Sequence, residues 1–499
     1  MGLNELTIRG LLEGFRTRQF SPEEVVHNCI QHIQQWDSRV QSWAWFQPEH
    51  LLNQVKQLEQ QGCSDPSPLW GVPVGIKDIM ETEGIPTERG SAIYRGYVPE
   101  QSAEVVQRLL QAGAMMAGKT VTTEFAYLSP GKTRNPWNLA HTPGGSSSGS
   151  AAAIAARFIP AALGTQTQGS VIRPAAFCGV VGYKPSAGLI SRRGIQPLSP
   201  SLDQVGVFAR CVDDVALIAS VLINPEAIDS EPDEGSRAIA SSVTNSQVLP
   251  IIRPLTQPQG QQDVRLDKSW SHHSLASLKT HLRRYAPRLA LVKTCVWEQA
   301  EPEQRSHLIQ QADAFEQQGA VVDEIKLSEE FDRFPTVMRH LMLSEVAHQY
   351  RDLRQTQADL LSDRLIQKID EGRQISAVEY LQAIAMRQTY QHNIVSLFHR
   401  YDAVLTLATP GEAPQGLHST GNPIFCELWS LLGVPAIALP TGWGSQGLPI
   451  GVQLIGGYCQ DAKLLKTARW CEQSILKGKN FPDPSQCSVQ STPLETTPF

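Results

Sequence analysis

Residues 142 to 174 read TPGGSSSGSAAAIAARFIPAALGTQTQGSVIRP, and the changes of texture within this stretch decide the fold. Gly144, Gly145 and Gly149 bracket Ser146, Ser147 and Ser148, and the run Ala151 to Ala156 that follows is a helix former. Glycine lets a turn adopt backbone angles closed to other residues. A flexible linker has a similar composition, but a linker does not lead straight into an apolar helix. Ile159 to Leu163 then reads as a buried strand, and Gly164 to Ser170 as a second tight turn. A plain polar turn uses the same letters. Small residues there also let successive N–H groups converge on one point, which suits a developing oxyanion. Turn, helix, strand and turn in succession write an α/β sheet.

Upstream lies Gly71-Val-Pro-Val-Gly-Ile-Lys77-Asp78, with Lys77 flanked by Val74, Ile76 and Ile79. A serine hydroxyl is a weak nucleophile until a base takes its proton, and here the candidate base is an amine. An ordinary lysine has a pKa near 10.4, so it accepts a proton at neutral pH only if burial lowers that value. The apolar neighbours fit such a pocket.

Further out, Ser21-Pro22-Glu23-Glu24 is a capping box with proline at the first helical position, so residues 1–65 read as a helical segment. Residues 66–224 alternate short Val/Ile/Gly runs with amphipathic stretches and form the core. Residues 225–275, rich in Pro, Ser, Gln, Asp and Glu, read as a loop or insertion. Residues 276–400 read as a helix-rich α/β region on the substrate side, with strands at Arg288 to Val296 and Val321 to Leu327. In it Glu303 to Gln318 makes a helix, and Ser376 caps another that runs to His399. Residues 401–476 return to the sheet, and 477–499 read as a disordered tail.

Composition narrows the function. With 499 residues, 41% hydrophobic and 18% charged, the chain reads as an ordinary globular protein. A net charge of −6 leaves no basic surplus to neutralise phosphates, so nucleic acid is excluded as a partner. The nine cysteines form no C-x-x-C pair, which argues for reduced thiols rather than a disulfide framework or a zinc site. The N-terminus has no apolar leader, and the apolar runs from Ala151 to Gly164 and from Leu428 to Pro440 read as core, not as membrane spans. A cytoplasmic location follows.

Three familiar patterns fail on context. Gly113 to Thr120 matches G-x-x-x-x-G-K-T, but that motif needs a strand before the glycines and a helix after Lys-Thr, and here a helix precedes and Ala114 to Ala117 reads as the strand. Gly145 to Gly149 matches G-x-S-x-G, which needs a strand immediately upstream, where Arg134 to Pro143 reads as loop. Ser474 to Lys477 fits S-x-x-K by chance beside the tail.

Taken together, the lysine segment and the two turns resemble the amidase signature family. The likeness runs from Gly71 to Pro185 and returns in Leu432 to Ile437 and Gly447 to Ile455. It implies the amidase signature fold, a large mixed sheet flanked by helices on both faces, and a Ser–cisSer–Lys triad. Family members place the bridging serine 24 positions before the nucleophile, which selects Ser146 among the three serines and makes Ser170 the nucleophile. Lys77 is then the general base, and the N–H groups of Thr167, Gln168, Gly169 and Ser170 are the oxyanion donors. The sequence departs from the commoner pattern at Gln166 and Gln168, where Asp and Gly are usual, and Arg173 sits one place late.

The resemblance implies hydrolysis of a small-molecule carboxamide through an acyl-enzyme, with no metal and no cofactor. No membrane takes part, and a homodimer is left open. The rival readings are a glutamine-dependent amidotransferase component for charged tRNA, which needs partner subunits, and a silent homologue used for binding. Trp137, Phe125, Tyr127 and Trp429 are candidates to line an apolar acyl site, or are simply packing.

Overall fold

The computed structural model describes residues 2–61, 67–223 and 285–475. The expected insertion, 225–275, and tail, 477–499, lie wholly outside these residues. Among the described residues eleven strands form one sheet: β1 (Trp43–Trp45), β2 (Pro73–Lys77), β3 (Met115–Thr120), β4 (Ala161–Gln166), β5 (Val181–Lys184), β6 (Gln204–Ala209), β7 (Arg288–Val292), β8 (Val321–Ile325), β9 (Ala403–Leu407), β10 (Ala436–Trp443) and β11 (Pro449–Ile455). Their spatial order is β1-β3-β2-β4-β6-β5-β10-β11-β9-β7-β8. β2 is parallel to both β3 and β4, and β7 is parallel to β8 and β9, while the centre from β4 to β9 is antiparallel. The sheet is therefore mixed, and helices flank it.

The strands at the site end are buried along their whole length, which is why they read as continuous Val/Ile/Ala runs rather than alternating ones. Gly118, Lys119 and Thr120 are strand residues inside β3, with the helix Glu104–Gln111 before them, so no helix N-terminus faces the glycines as phosphate binding requires.

The helix Ser148–Ala155 is the innermost one. All eight of its residues are buried, and none is larger than isoleucine. Small side chains let it lie against β2, β3 and β4 at close range. At Gly149 a Cβ would stand 2.2 Å from the Ser42 carbonyl oxygen and 2.3 Å from the Val121 nitrogen, so no other residue fits. Both capping boxes, at Ser21 and Ser376, are present with both of their hydrogen bonds. β1, a three-residue strand paired with Thr120 and Lys119, lies inside the segment expected to be helical. Three residues are too few to display a period of two.

Candidate active site

The site is assembled at the carboxyl ends of β2 and β4, where the loops of an α/β sheet are free to converge. Lys77 is the last residue of β2. Gly75 lies opposite Ala162, a register that carries Thr165 of β4 just past Lys77. Lys77 is fully buried, and its Nζ meets Ser146 Oγ at 2.7 Å and Thr165 Oγ1 at 2.9 Å. Burial pushes its pKa well below the ordinary lysine value, and the negative charge of Asp203 only partly opposes this.

Two other lysines are buried as deeply, and their partners set them apart. Lys119 meets Asp78 Oδ1 at 3.2 Å, Met80 O at 2.9 Å and Thr87 Oγ1 at 2.5 Å. Lys184 meets Pro185 O at 3.2 Å, Gln204 Oε1 at 2.9 Å and Val434 O at 2.5 Å. Burial lowers the first to about 8 and the second to about 7. A carbonyl or carboxylate can only accept, so the three such neighbours of Lys184 call for an ammonium with three N–H groups, and Lys119 is paired with the Asp78 carboxylate, which favours its charged form. A hydroxyl can also donate. Lys77 is the buried lysine among the three whose partners suit a neutral amine.

The ambiguity among the serines has a structural answer as well. Ser147 Oγ is tied to the backbone of Thr165 at 3.2 and 3.3 Å, Ser148 Oγ to Val121 O at 3.3 Å, and Ser150 Oγ to Leu163 O at 2.8 Å. Ser146 alone in this run turns its hydroxyl to Lys77. The Gly145–Ser146 peptide bond is cis. Gly144, at φ +82°, brings the chain within a Cβ's reach of Pro174. Arg173 Nη2 donates to Gly145 O at 2.7 Å and Nη1 to Gly421 O at 2.7 Å, so the residue three places after Ser170 clamps the peptide unit before Ser146.

Ser170 follows β4 in the loop before the helix Ile172–Cys178, and its hydroxyl makes no hydrogen bond among the described residues. The N–H groups of Thr167, Gln168, Gly169 and Ser170 likewise donate to nothing there. Two carbonyls of this strip are pinned: Gln168 O accepts from Ser430 Oγ at 2.6 Å and Gly169 O from Arg173 N at 2.9 Å. In a trans peptide the next N–H points the opposite way, so the N–H groups of Gly169 and Ser170 face away from those anchors. Gln166 Oε1 accepts from Val171 N and Ile172 N at 2.8 and 3.0 Å, and its amide donates to Ser430 at 2.9 Å. An acceptor with two lone pairs is what the turn needs, and glutamine supplies it. Thr167 Oγ1 donates to Asp203 at 2.5 Å. A cavity of about 300 Å³ adjoins Thr165, Thr167, Asp203, Gln204, Ile79 and Leu198.

Thr165 and Arg173 take part without having been singled out as site residues from sequence; Arg173 drew notice only as a displaced arginine. Of the four aromatics, Trp137 packs on Trp443 and donates to Cys178 O at 2.7 Å, Phe125 packs on Tyr350, and Trp429 is buried. Packing accounts for those three. Among the described residues no cluster of His, Cys, Asp or Glu could hold a metal ion, and no helix is long and apolar enough to cross a membrane.

Known proteins share this architecture. The solved structure of an amidase superposes with a TM-score of 0.76 at 25% identity, covering 94% of this chain and all of that one. The solved glutamyl-tRNA(Gln) amidotransferase component of Thermotoga maritima gives a TM-score of 0.71 at 25% identity over 97% of this chain and 98% of its own. The corresponding glutamyl-tRNA(Gln) amidotransferase component of Halothermothrix orenii is 30% identical over 95% of this chain and 98% of that protein. The fold is thus that of an α/β amidase class. A family model described as Amidase matches residues 24–251 and 256–465, and the chain belongs to the amidase signature family.

Proposed function

We propose that the protein hydrolyses the C–N bond of a small-molecule, non-peptide carboxamide through an acyl-enzyme on Ser170. Ser170 Oγ attacks the carbonyl carbon and passes its proton to Ser146 Oγ, while the Ser146 proton moves to Lys77 Nζ. The N–H groups of Thr167 to Ser170 receive the developing oxyanion. The proton then returns through Ser146 to the leaving nitrogen as the C–N bond breaks, and water repeats the sequence on the acyl-serine. The observation that carries this reading is the buried lysine whose hydrogen-bond partners are hydroxyls, one of them Ser146. We place the reaction in the cytoplasm.

The test is turnover of a panel of aliphatic, aryl and urea-like amides. Ser170→Ala should abolish hydrolysis while the melting temperature stays within about 2 °C; substantial residual hydrolysis removes Ser170 from the role. A second reading, the glutaminase half of a tRNA-charging amidotransferase, is favoured by the name of the 30% identical relative. It predicts ammonia release from glutamine only when partner subunits are added.

A further inference from the structure

Gln168 is the long side chain in the strip before Ser170, and it is anchored. Its Nε2 donates to Glu427 Oε1 at 2.6 Å. Glu427 belongs to the helix Ile424–Leu432, which also supplies Ser430, the anchor of the Gln168 carbonyl. A Cβ on Gly169 would come within 3.1 Å of Cys426 Cβ, so this helix lies directly against the loop. It holds residue 168 by both its side chain and its backbone.

Glu427 itself is buried and forms no ion pair among the described residues. Arg173, the cation whose charge it feels, directs its N–H groups at Gly145, Gly421 and Thr420. The other titratable groups near it are the Cys426 thiol on its own helix and the Tyr127 hydroxyl from the chain after β3. Burial raises Glu427 to about 7, against the pull of the Gln168 hydrogen bond and of Arg173. An unpaired buried carboxyl is destabilising, so its one strong bond, to the loop that carries the nucleophile, points to a use.

We propose that Glu427 is a positioning residue: acting through the Gln168 side chain, it fixes the 168–170 peptide units with their N–H groups toward the scissile carbonyl and keeps that side chain clear of the acyl group. The proposal rests on the acyl-enzyme reading above. Its bond to Gln168 is charge-assisted when Glu427 is ionised and weaker when it is protonated, so the positioning tightens as pH rises.

The test uses a fluorophosphonate, which reacts at an activated serine and needs the same oxyanion contacts. Labelling of Ser170 in the wild type reports on the acyl-enzyme reading by itself; no adduct there strikes that reading rather than this one. With labelling in hand, Glu427→Ala and Gln168→Ala should each slow the inactivation rate constant on the order of 10- to 100-fold, the worth of one buried hydrogen bond to a charged group. Reagent affinity should change less than about twofold, and the double variant should be no slower than the worse single one. Glu427→Gln, which can accept the same N–H, should recover most of the rate, and the wild-type advantage over it should grow from pH 6 to pH 8. Additive losses, a loss confined to reagent affinity, or a Glu427→Ala rate equal to wild type overturns the proposal. Should Glu427→Ala not fold, Glu427→Gln and Gln168→Ala with their double variant decide by the same criteria.

Discussion

Replacing Lys77 with methionine keeps the length of the side chain and deletes the amine, and its effect on stability should depend on pH in a way that needs no knowledge of packing. Lys77 is fully buried against two hydroxyls, and desolvation dominates its titration. If it is neutral in the folded protein, unfolding at any pH below the ordinary lysine value takes up one proton. A group whose folded pKa is lowered in this way makes wild type gain stability as pH rises from the folded pKa to the unfolded one, at about 1.4 kcal/mol per unit. Methionine has no proton to take up. All other groups titrate alike in the two proteins and cancel.

From pH 7 to pH 9.5 wild type should therefore gain about 3.4 kcal/mol on Lys77→Met. The unfolding entropy of 499 residues, at about 2.1 cal/mol/K per residue, is near 1 kcal/mol/K. The gap in melting temperature should thus shift by about 3 °C in favour of wild type across that range. Scanning calorimetry of both proteins at half-unit pH steps and one scan rate measures it. A gap independent of pH would mean that Lys77 holds the same proton folded and unfolded, and an ammonium cannot serve as the base.

Three other substitutions probe the supports of the site. Thr165→Val removes one of the two hydroxyls on Lys77 and should lower amide kcat by about tenfold, while Thr165→Ser should stay within about threefold of wild type; steady-state kinetics decides. Arg173→Met leaves the carbonyls of Gly145 and Gly421 without their donor and should cost about 3 kcal/mol, read as a drop of about 3 °C in melting temperature together with loss of activity. Gly149→Ala drives a methyl group into backbone atoms of Ser42 and Val121 that have no room to retreat, so soluble folded yield should collapse.

The parts of the fold legible in sequence were those with a local signature. Capping boxes at Ser21 and Ser376 announce their helices within four residues, and buried strands such as β2 and β4 announce themselves as short apolar runs. β7 and β8 are shorter than read: their pairing ends at Val292 opposite Ile325, just before Lys293 and Lys326, and the apolar Val296 and Leu327 that extended the reading lie beyond it. The positions of Lys77, Ser146 and Ser170 came from motifs and from a family resemblance; nothing in their spacing states that two of the three touch. What escaped reading joins distant parts of the chain. Arg173 reaches Gly421 across 248 positions and Gln168 reaches Glu427 across 259, and no periodicity carries such information. Thr165 was hidden for another reason: its neighbour in space depends on the β2–β4 register, which only the assembled sheet defines.

The central claim is that Ser170 becomes acylated, and it can be weighed directly. The protein is mixed with 4-nitrophenyl acetate, an ester that acylates quickly, quenched in acid within a second, digested and mapped by mass spectrometry. The account predicts one acetyl group on the peptide that contains Ser170, absent from Ser170→Ala and formed far more slowly in Lys77→Met. An acetyl group carried instead by Ser146, Ser147 or Ser148, or none above background, would contradict it.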